Sequence, residues 1–283
     1  MKLGKYIFDD KKTYVMGILN YTNDSFSDGG KYNNLDSALK RVEEMIEEGA
    51  DIIDIGAQST RPGYEEIDVK EEALILEALV KTIKMHFDIP VSIDSYRASA
   101  MKAALHAGAD MANDIMGLKY TESDLSMAKV IADFNVPVVI MHADEYDRDY
   151  SKRSEEQKKA FNSDVILRVK AGLSDSVNIA LEAGIHEEKI ILDPGVGFNK
   201  TQEENLQVLK HLDEFMKMGY PCLLGASRKS VIGNALNLPV EQREEGTLVT
   251  SVLAARAGYN FVRVHDVKAN KRAINMFEAI NNS

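Results

Sequence analysis

The chain has 283 residues, 45% of them hydrophobic and 28% charged, which is enough to bury one large core. A formal net charge of -11 speaks against broad nucleic-acid binding, which needs a basic face, although a few local cations can still hold an anionic small molecule. The only cysteine, Cys222 in the apolar run CLLG, excludes an intrachain disulfide and a cysteine-based zinc site, and reads as a small buried apolar residue.

The opening stretch MKLGKYIFDDKK interrupts its apolar residues with charge and lacks the apolar core of a secretion signal. No apolar run approaches membrane-spanning length, so the expected location is the cytoplasm and no membrane partner is expected. Two small domains would fit the length, but no Pro/Gly/Ser-rich linker or low-complexity tract divides the chain, and one domain over 1–283 is the expectation.

In chain order, the first strand is predicted at 13–19 (TYVMGIL), followed by a glycine- and asparagine-rich insertion over 20–34. Residues 36–48 place Ala38, Val42, Met45 and Ile46 at helical spacing and stop at Gly49, as a helix with a glycine C-cap would. Strands then follow at 51–56, 90–94, 111–115 and 136–142, separated by helices over 65–87, 97–107 and 123–134. A polar stretch, 143–160, comes next and reads equally as an active-site loop or as a solvated extension of the helix 161–184. Strands at 190–195, 222–227 and 261–265 alternate with helices at 202–218, 240–258 and 268–281. Near-continuous apolar strands alternating eight times with helices predict a parallel sheet covered by helices, closed as a (β/α)8 TIM barrel; an open doubly wound sheet is the alternative fold.

Polar residues gather where these strands end, which is where such barrels carry their sites. Asn20 closes the first strand and Gln58, Thr60 and Arg61 follow the second. Asp94 closes the third, Asn113 and Asp114 lie in the fourth, His142 closes the fifth and Asp193 sits in the sixth. Ser227, Arg228 and Lys229 follow the seventh, and Arg263, His265 and Asp266 close the eighth. Each alone is as well explained by a helix cap, a turn or a hydrogen-bonded core position. Together they predict one polar mouth.

The same residues sit in blocks that resemble a family pattern. MGILNYTNDSFSDGG at 16–30 and DIGAQSTRPG at 54–63 are similar to the first two signatures of the dihydropteroate synthases. SIDSYR at 92–97, NDI at 113–115, MH at 141–142, LDPGVGF at 192–198, GASRKS at 225–230 and RVHDV at 263–267 resemble the later blocks, in the family's order. The resemblance implies a folate-biosynthesis transferase, commonly dimeric and a sulfonamide target, that requires magnesium (Mg2+). Such an enzyme joins 6-hydroxymethyl-7,8-dihydropterin pyrophosphate to p-aminobenzoate.

A pterin ring offers amino and N–H donors on one edge and carbonyl and imine acceptors on another, so it calls for carboxylates, an amide and a cation. Asp94, Asn113, Asp193 and Lys229 supply that set, and the resemblance adds Met141 against the ring and Arg263 beside it. For the pyrophosphate it implies Asn20, Thr60, Arg263 and His265, with Asn20 also the magnesium ligand. For p-aminobenzoate, Phe198, Pro62 and the Lys229 stem can form an apolar wall and Ser230 can donate to the carboxylate, and the resemblance adds Phe26 and Arg61 as loop residues that close over it. Asp28, Thr60, Arg61 and Lys229 are the residues it implies for catalysis, with Asp28 placed to steady a developing cation.

The chain departs from the family pattern at Tyr21, Asn23 and Gln58, where valine, proline and glutamate are usual, and again at Ala143-Asp144-Glu145. Two other readings therefore stand at this point. A pterin-binding methyltransferase would share the barrel and the Asp/Asn set, but Arg263, His265 and the Ser-Thr-Arg-Pro loop argue against it. A catalytically silent pterin-binding paralogue is suggested by the altered loops.

Overall fold

The computed structural model describes residues 1–21, 30–58, 67–122, 125–143 and 164–283, and of 30–34 the backbone alone. Eight strands form one parallel sheet: β1 Tyr14–Asn20, β2 Ile52–Gly56, β3 Val91–Asp94, β4 Met111–Asp114, β5 Val138–Met141, β6 Ile190–Asp193, β7 Leu223–Leu224 and β8 Phe261–Val264. Their order is β6-β5-β4-β3-β2-β1-β8-β7, and a parallel bridge between Leu192 and Cys222 joins β6 to β7, closing the ring as a (β/α)8 barrel.

The outer layer comprises α1 Gly30–Glu47, α2 Val69–His86, α3 Ala98–His106, α4 Met127–Phe134, α5 Val165–Glu182, α6 Gln202–Lys210, α7 Leu212–Met216, α8 Ser230–Leu236, α9 Glu244–Ala257 and α10 Val267–Asn281. Their ends are set locally. Asp68 caps α2 by accepting the N–H groups of Lys70 and Glu71, and Thr201 and Glu204 form a reciprocal capping box on α6. Gly258, in the left-handed region at φ +91°, stops α9.

Several predicted boundaries move. The helix predicted at 36–48 begins at Gly30, inside the expected insertion, and the helix predicted at 202–218 is broken at His211 into α6 and α7. The strand predicted at 222–227 keeps only Leu223–Leu224, because the chain turns sharply at Arg228 (φ 57°) and enters α8, a short helix the sequence pattern did not announce. Lys2–Leu3 and Tyr6–Ile7 pair as an antiparallel hairpin, and a second small hairpin, Thr121–Glu122 with Leu125–Ser126, replaces the first turns of the helix predicted at 123–134.

Successive side chains on a strand face opposite ways, and this period decides what fills the barrel. Met16, Ile52, Met111, Val139, Ile191, Leu223 and Phe261 form a buried apolar layer, and Leu3 and Phe8 of the N-terminal segment pack onto it as a plug. Phe8 meets Tyr14 edge to face with ring centroids 4.6 Å apart. The opposite faces of the strands meet the helices in a second, larger cluster that includes Ile53, Ile55, Val138, Ile140, Leu192, Leu76 and Val169. The interior is therefore solid at its N-terminal end, and only its C-terminal end is available to a ligand.

Candidate active site

Two residues beyond the apolar layer, the same inward face turns polar. Ile52 is followed at that spacing by Asp54, Met111 by Asn113, Val139 by Met141, Ile191 by Asp193, Leu223 by Gly225 and Phe261 by Arg263. Asp94 stands level with Asn113 across β3 and β4, and Asp193 level with Met141 across β6 and β5. One further step outward brings Asn20, exposed at the end of β1, and His265, half-buried just beyond β8. The polar mouth expected from the strand ends is thus a single tier of side chains with a second tier above it.

Arg263 is the centre of the lower tier. Its Nε donates to Asp54 Oδ2 and its Nη2 to Asp94 Oδ2, each at 2.5 Å. Burial works against the guanidinium charge, but these two carboxylates more than offset it and raise the pKa further. Asn113 donates from Nδ2 to both oxygens of Asp54, at 3.3 Å each. Burial pushes the Asp94 carboxyl up to about 6; Arg263 opposes that rise and the neighbouring Asp54 charge adds to it. Asp54 was assigned no role from the sequence, and its signal is an inward-facing aspartate inside an otherwise apolar strand.

Across the barrel, Asp193 accepts the Gly195 N–H on Oδ1 at 2.7 Å, and burial raises its pKa against the pull of Lys229. Gly195 takes φ +67°, and any side chain there would collide with the carbonyl oxygen of His142, so the turn after β6 requires glycine. Lys229 donates to the Val196 carbonyl at 2.5 Å, and its Nζ lies 4.3 Å from the centre of the Phe198 ring. Burial brings the Lys229 ammonium down to about 8, with Asp193 acting in the opposite direction.

Met141 belongs to a small apolar cluster with Tyr96 and Ile115, against which Phe198, Met116, Tyr120 and Ala143 pack. The cluster forms one wall of the mouth beside the charged residues. On the upper tier His265 Nδ1 is 3.0 Å from Ser227 Oγ, which also accepts the His265 backbone N–H at 3.2 Å. Ser230 is exposed at the first turn of α8, next to Lys229.

Several strand-end residues have structural duties instead. Asp114 points away from the barrel axis and accepts the N–H groups of Met116 and Leu118, and burial pushes its carboxyl up to about 6. His142 lies behind the wall against Gly172 of α5, where burial, with Lys200 nearby, holds its imidazole pKa well below the usual value. Asp266 caps α10 through the Ala269 N–H, and Arg228 pairs with Glu244 at 3.3 Å. Arg97, from the third signature block, is buried against Glu72 at 3.0 Å and donates to the Ile67 carbonyl. Cys222 is buried, and burial raises its thiol pKa, as suits a packing residue. Phe26, Asp28, Thr60, Arg61, Pro62 and Asn23 lie outside the described residues, as does nearly all of the stretch 143–160.

Among the described residues no group of three or more His, Cys, Asp or Glu side chains is placed to hold a metal ion, and no helix is long and apolar enough to cross a membrane.

Comparison with known proteins bears directly on this mouth. The family model described as pterin binding enzyme matches residues 16–265. A dihydropteroate synthase of Clostridium beijerinckii is 49% identical over 282 residues, covering 99% of both chains. Among solved structures, a dihydropteroate synthase of Clostridium difficile determined in the presence of pteroic acid superposes with a TM-score of 0.88 at 44% identity, covering 98% of this chain and 100% of that one. The Yersinia pestis dihydropteroate synthase, in a complex with a sulfonamide drug, gives a TM-score of 0.87 at 35% identity and covers 100% and 99%.

Proposed function

We propose a route by which this chain, which belongs to the pterin-binding enzymes and among them to the dihydropteroate synthases, uses the mouth of its barrel. It is a transferase of folate biosynthesis that condenses 6-hydroxymethyl-7,8-dihydropterin pyrophosphate with p-aminobenzoate. The observation that carries the route is the single inward tier of Asp94, Asn113, Asp193, Lys229 and Arg263 above a sealed apolar layer. A methyltransferase would not need the second tier of Asn20 and His265 above it.

In this reading the ring enters edge-on with its pyrimidine end down. Asp193, already oriented by the Gly195 N–H, accepts from the 2-amino group and N3–H. Asn113 and Asp94 meet the pyrimidine and N8 edges, Lys229 donates to the carbonyl side, and Met141 lies against the ring face with Arg263 beside it. The pyrophosphate would point out to the upper tier, where the His265 imidazole is held by Ser227, and Thr60 would take part in holding it. Asn20, an exposed neutral amide, is the residue that would hold a hydrated Mg2+, with substrate phosphates supplying the charged ligands. Such an ion would supply positive charge to help pyrophosphate depart.

The C–O bond breaks with its electron pair leaving on pyrophosphate, and the electron-rich dihydropterin shares the positive charge left on the methylene carbon. The arylamine nitrogen then attacks that carbon and releases a proton, so no strong base is required. Phe198, Pro62 and the Lys229 stem would flank the p-aminobenzoate ring, with Phe26 and Arg61 closing over it and Ser230 donating to its carboxylate. Asp28 would steady the cation, while the Met141, Tyr96 and Ile115 wall keeps water from it. A sulfonamide would occupy the place of p-aminobenzoate.

The protein would act in the cytoplasm as one barrel domain over 1–283 and as a homodimer. The exposed Val249 and Leu253 on α9 and Met276 and Ile280 on the adjacent α10 offer apolar surface for a second copy. The route is tested with a series of ring-substituted p-aminobenzoates. Rate-limiting loss of pyrophosphate predicts a kcat that ignores the nucleophilicity of the amine, and a steep dependence would sink it. Finding neither dihydropteroate nor pyrophosphate with both substrates and magnesium present would overturn the assigned activity itself.

A further inference from the structure

Asp54 is wholly shut off from solvent, so it does not meet the substrate, and the route above gives it no task. A carboxylate without partners at such depth would be strongly destabilising, and this one has two. Arg263 Nε sits 2.5 Å from Oδ2, and the Asn113 amide nitrogen is 3.3 Å from each oxygen.

The pairing has a consequence for Asn113. An amide side chain has a donor end and an acceptor end of nearly equal size, and only its neighbours decide which way it faces. An ionised carboxylate can only accept. Arg263 Nε donates to Oδ2 of Asp54, and the Asn113 amide presents Nδ2 downward to both Asp54 oxygens. Oδ1 is then turned away from Asp54, on the side where Asp94 stands level with it and the mouth opens.

We propose that Asp54 is a positioning residue that sets the hydrogen-bonding polarity of the pocket, holding Asn113 so that it offers an acceptor, not a donor, to a ring edge carrying N–H groups. The ligand chemistry it selects is a donor-rich heterocycle edge at this point of the rim. A ring presenting a carbonyl in place of that N–H meets the lone pairs of Oδ1 and is rejected. The proposal deepens the reading of this mouth as the pterin pocket and rests on it.

The test is calorimetric titration of 6-hydroxymethyl-7,8-dihydropterin into the wild type, Asp54→Asn, Asn113→Ala and the double variant, together with steady-state kinetics. Asp54→Asn keeps the volume but lets the Asn113 amide turn, and is expected to weaken pterin binding about 10- to 100-fold, the range for a mispaired buried polar group. KM for the pterin pyrophosphate should rise with it, while KM for p-aminobenzoate moves by less than about threefold. In the Asn113→Ala background the same substitution should cost less than about threefold, because the group it positions is gone. Equal cost in both backgrounds, or unchanged pterin affinity in a folded Asp54→Asn, overturns the positioning role alone. A wild type that does not bind the pterin overturns the pocket assignment and this role with it. If Asp54→Asn does not fold, neutron diffraction of the wild-type enzyme with the pterin decides. Deuterons on the Asn113 nitrogen facing Asp54 are expected, and deuterons facing the ring refute the proposal.

Discussion

Replacing Asp193 by asparagine removes one negative charge and little else. Oδ1 can still accept the Gly195 N–H, now 2.7 Å away, so the glycine turn after β6 is kept. What then faces the ligand is an amide nitrogen with two hydrogens, directed at the amino group and N3–H of the ring. Two charge-assisted hydrogen bonds are replaced by a donor meeting donors, and Lys229 loses the carboxylate that supports its charge. Losing one charge-assisted bond costs about 1.5–3 kcal/mol, which is about 10- to 150-fold in Kd. The variant should also fold well, because burial raises the Asp193 pKa and an uncharged side chain relieves that cost. Isothermal titration with 6-hydroxymethyl-7,8-dihydropterin measures the first effect and thermal unfolding the second. A folded variant that binds the pterin within about twofold of the wild type would falsify the assignment of Asp193 to the ring.

The ionisation of the mouth sets a pH window. Asp94, raised to about 6, is charged only above that pH, and Lys229, lowered to about 8, is charged only below that one. Affinity for a pterin that carries no phosphate should therefore fall on both sides of the interval, and a flat profile from pH 5 to 9 would remove these two groups from ring binding. At the closed end of the barrel, Phe8→Ala should cost about 3 kcal/mol of unfolding free energy, read by urea titration at pH 7, because Phe8 fills the plug against Tyr14 and Phe261. An effect under about 1 kcal/mol would mean that the N-terminal segment merely drapes over the apolar layer. The proposed homodimer predicts that the wild type sediments as a dimer and that Val249→Asp with Leu253→Asp sediments as a monomer, and a double variant still sedimenting as a dimer would place the interface elsewhere.

The alternation of strands and helices is legible in the sequence because the two periods differ and each stretch is long enough to show one. Ala38, Val42 and Met45 are all fully buried, as their spacing requires. What escapes is short or set by distant contacts. The two hairpins have strands of two residues, too few to display alternation, and α8 has seven residues with a glycine inside. The end of β7 is fixed by the left-handed Arg228, a conformation that the residue type does not advertise. In the site, Asp94, Asn113, Asp193 and Lys229 are legible because strand ends and signature blocks coincide there. The roles of Asp114 and His142 are not, since each differs from an inward-facing neighbour by one residue and so by the face of the strand. Asn113 faces in and Asp114 out, Met141 in and His142 out.

Asp54 shows how far that rule of alternate faces reaches. In IIDIG every position is buried, so burial alone does not separate the aspartate from the isoleucines around it. Counting by two from Ile52, which lies in the apolar layer, puts Asp54 inside the barrel, and a charge inside a closed barrel must have a partner inside as well. The partner could stand on any strand, and the one that serves, Arg263, is 209 residues away in sequence. Strands β2 and β8 both flank β1, which brings no charge at that level, only Met16 and Ile18. The long guanidinium side chain spans that gap, and it reaches Asp94 on the next strand along at the same time. A lysine at 263 would place one compact charge where two carboxylates on different strands each need a directed N–H. The arginine is thus required by the barrel's geometry before any substrate arrives, and the part in binding proposed for it follows from where that geometry leaves it.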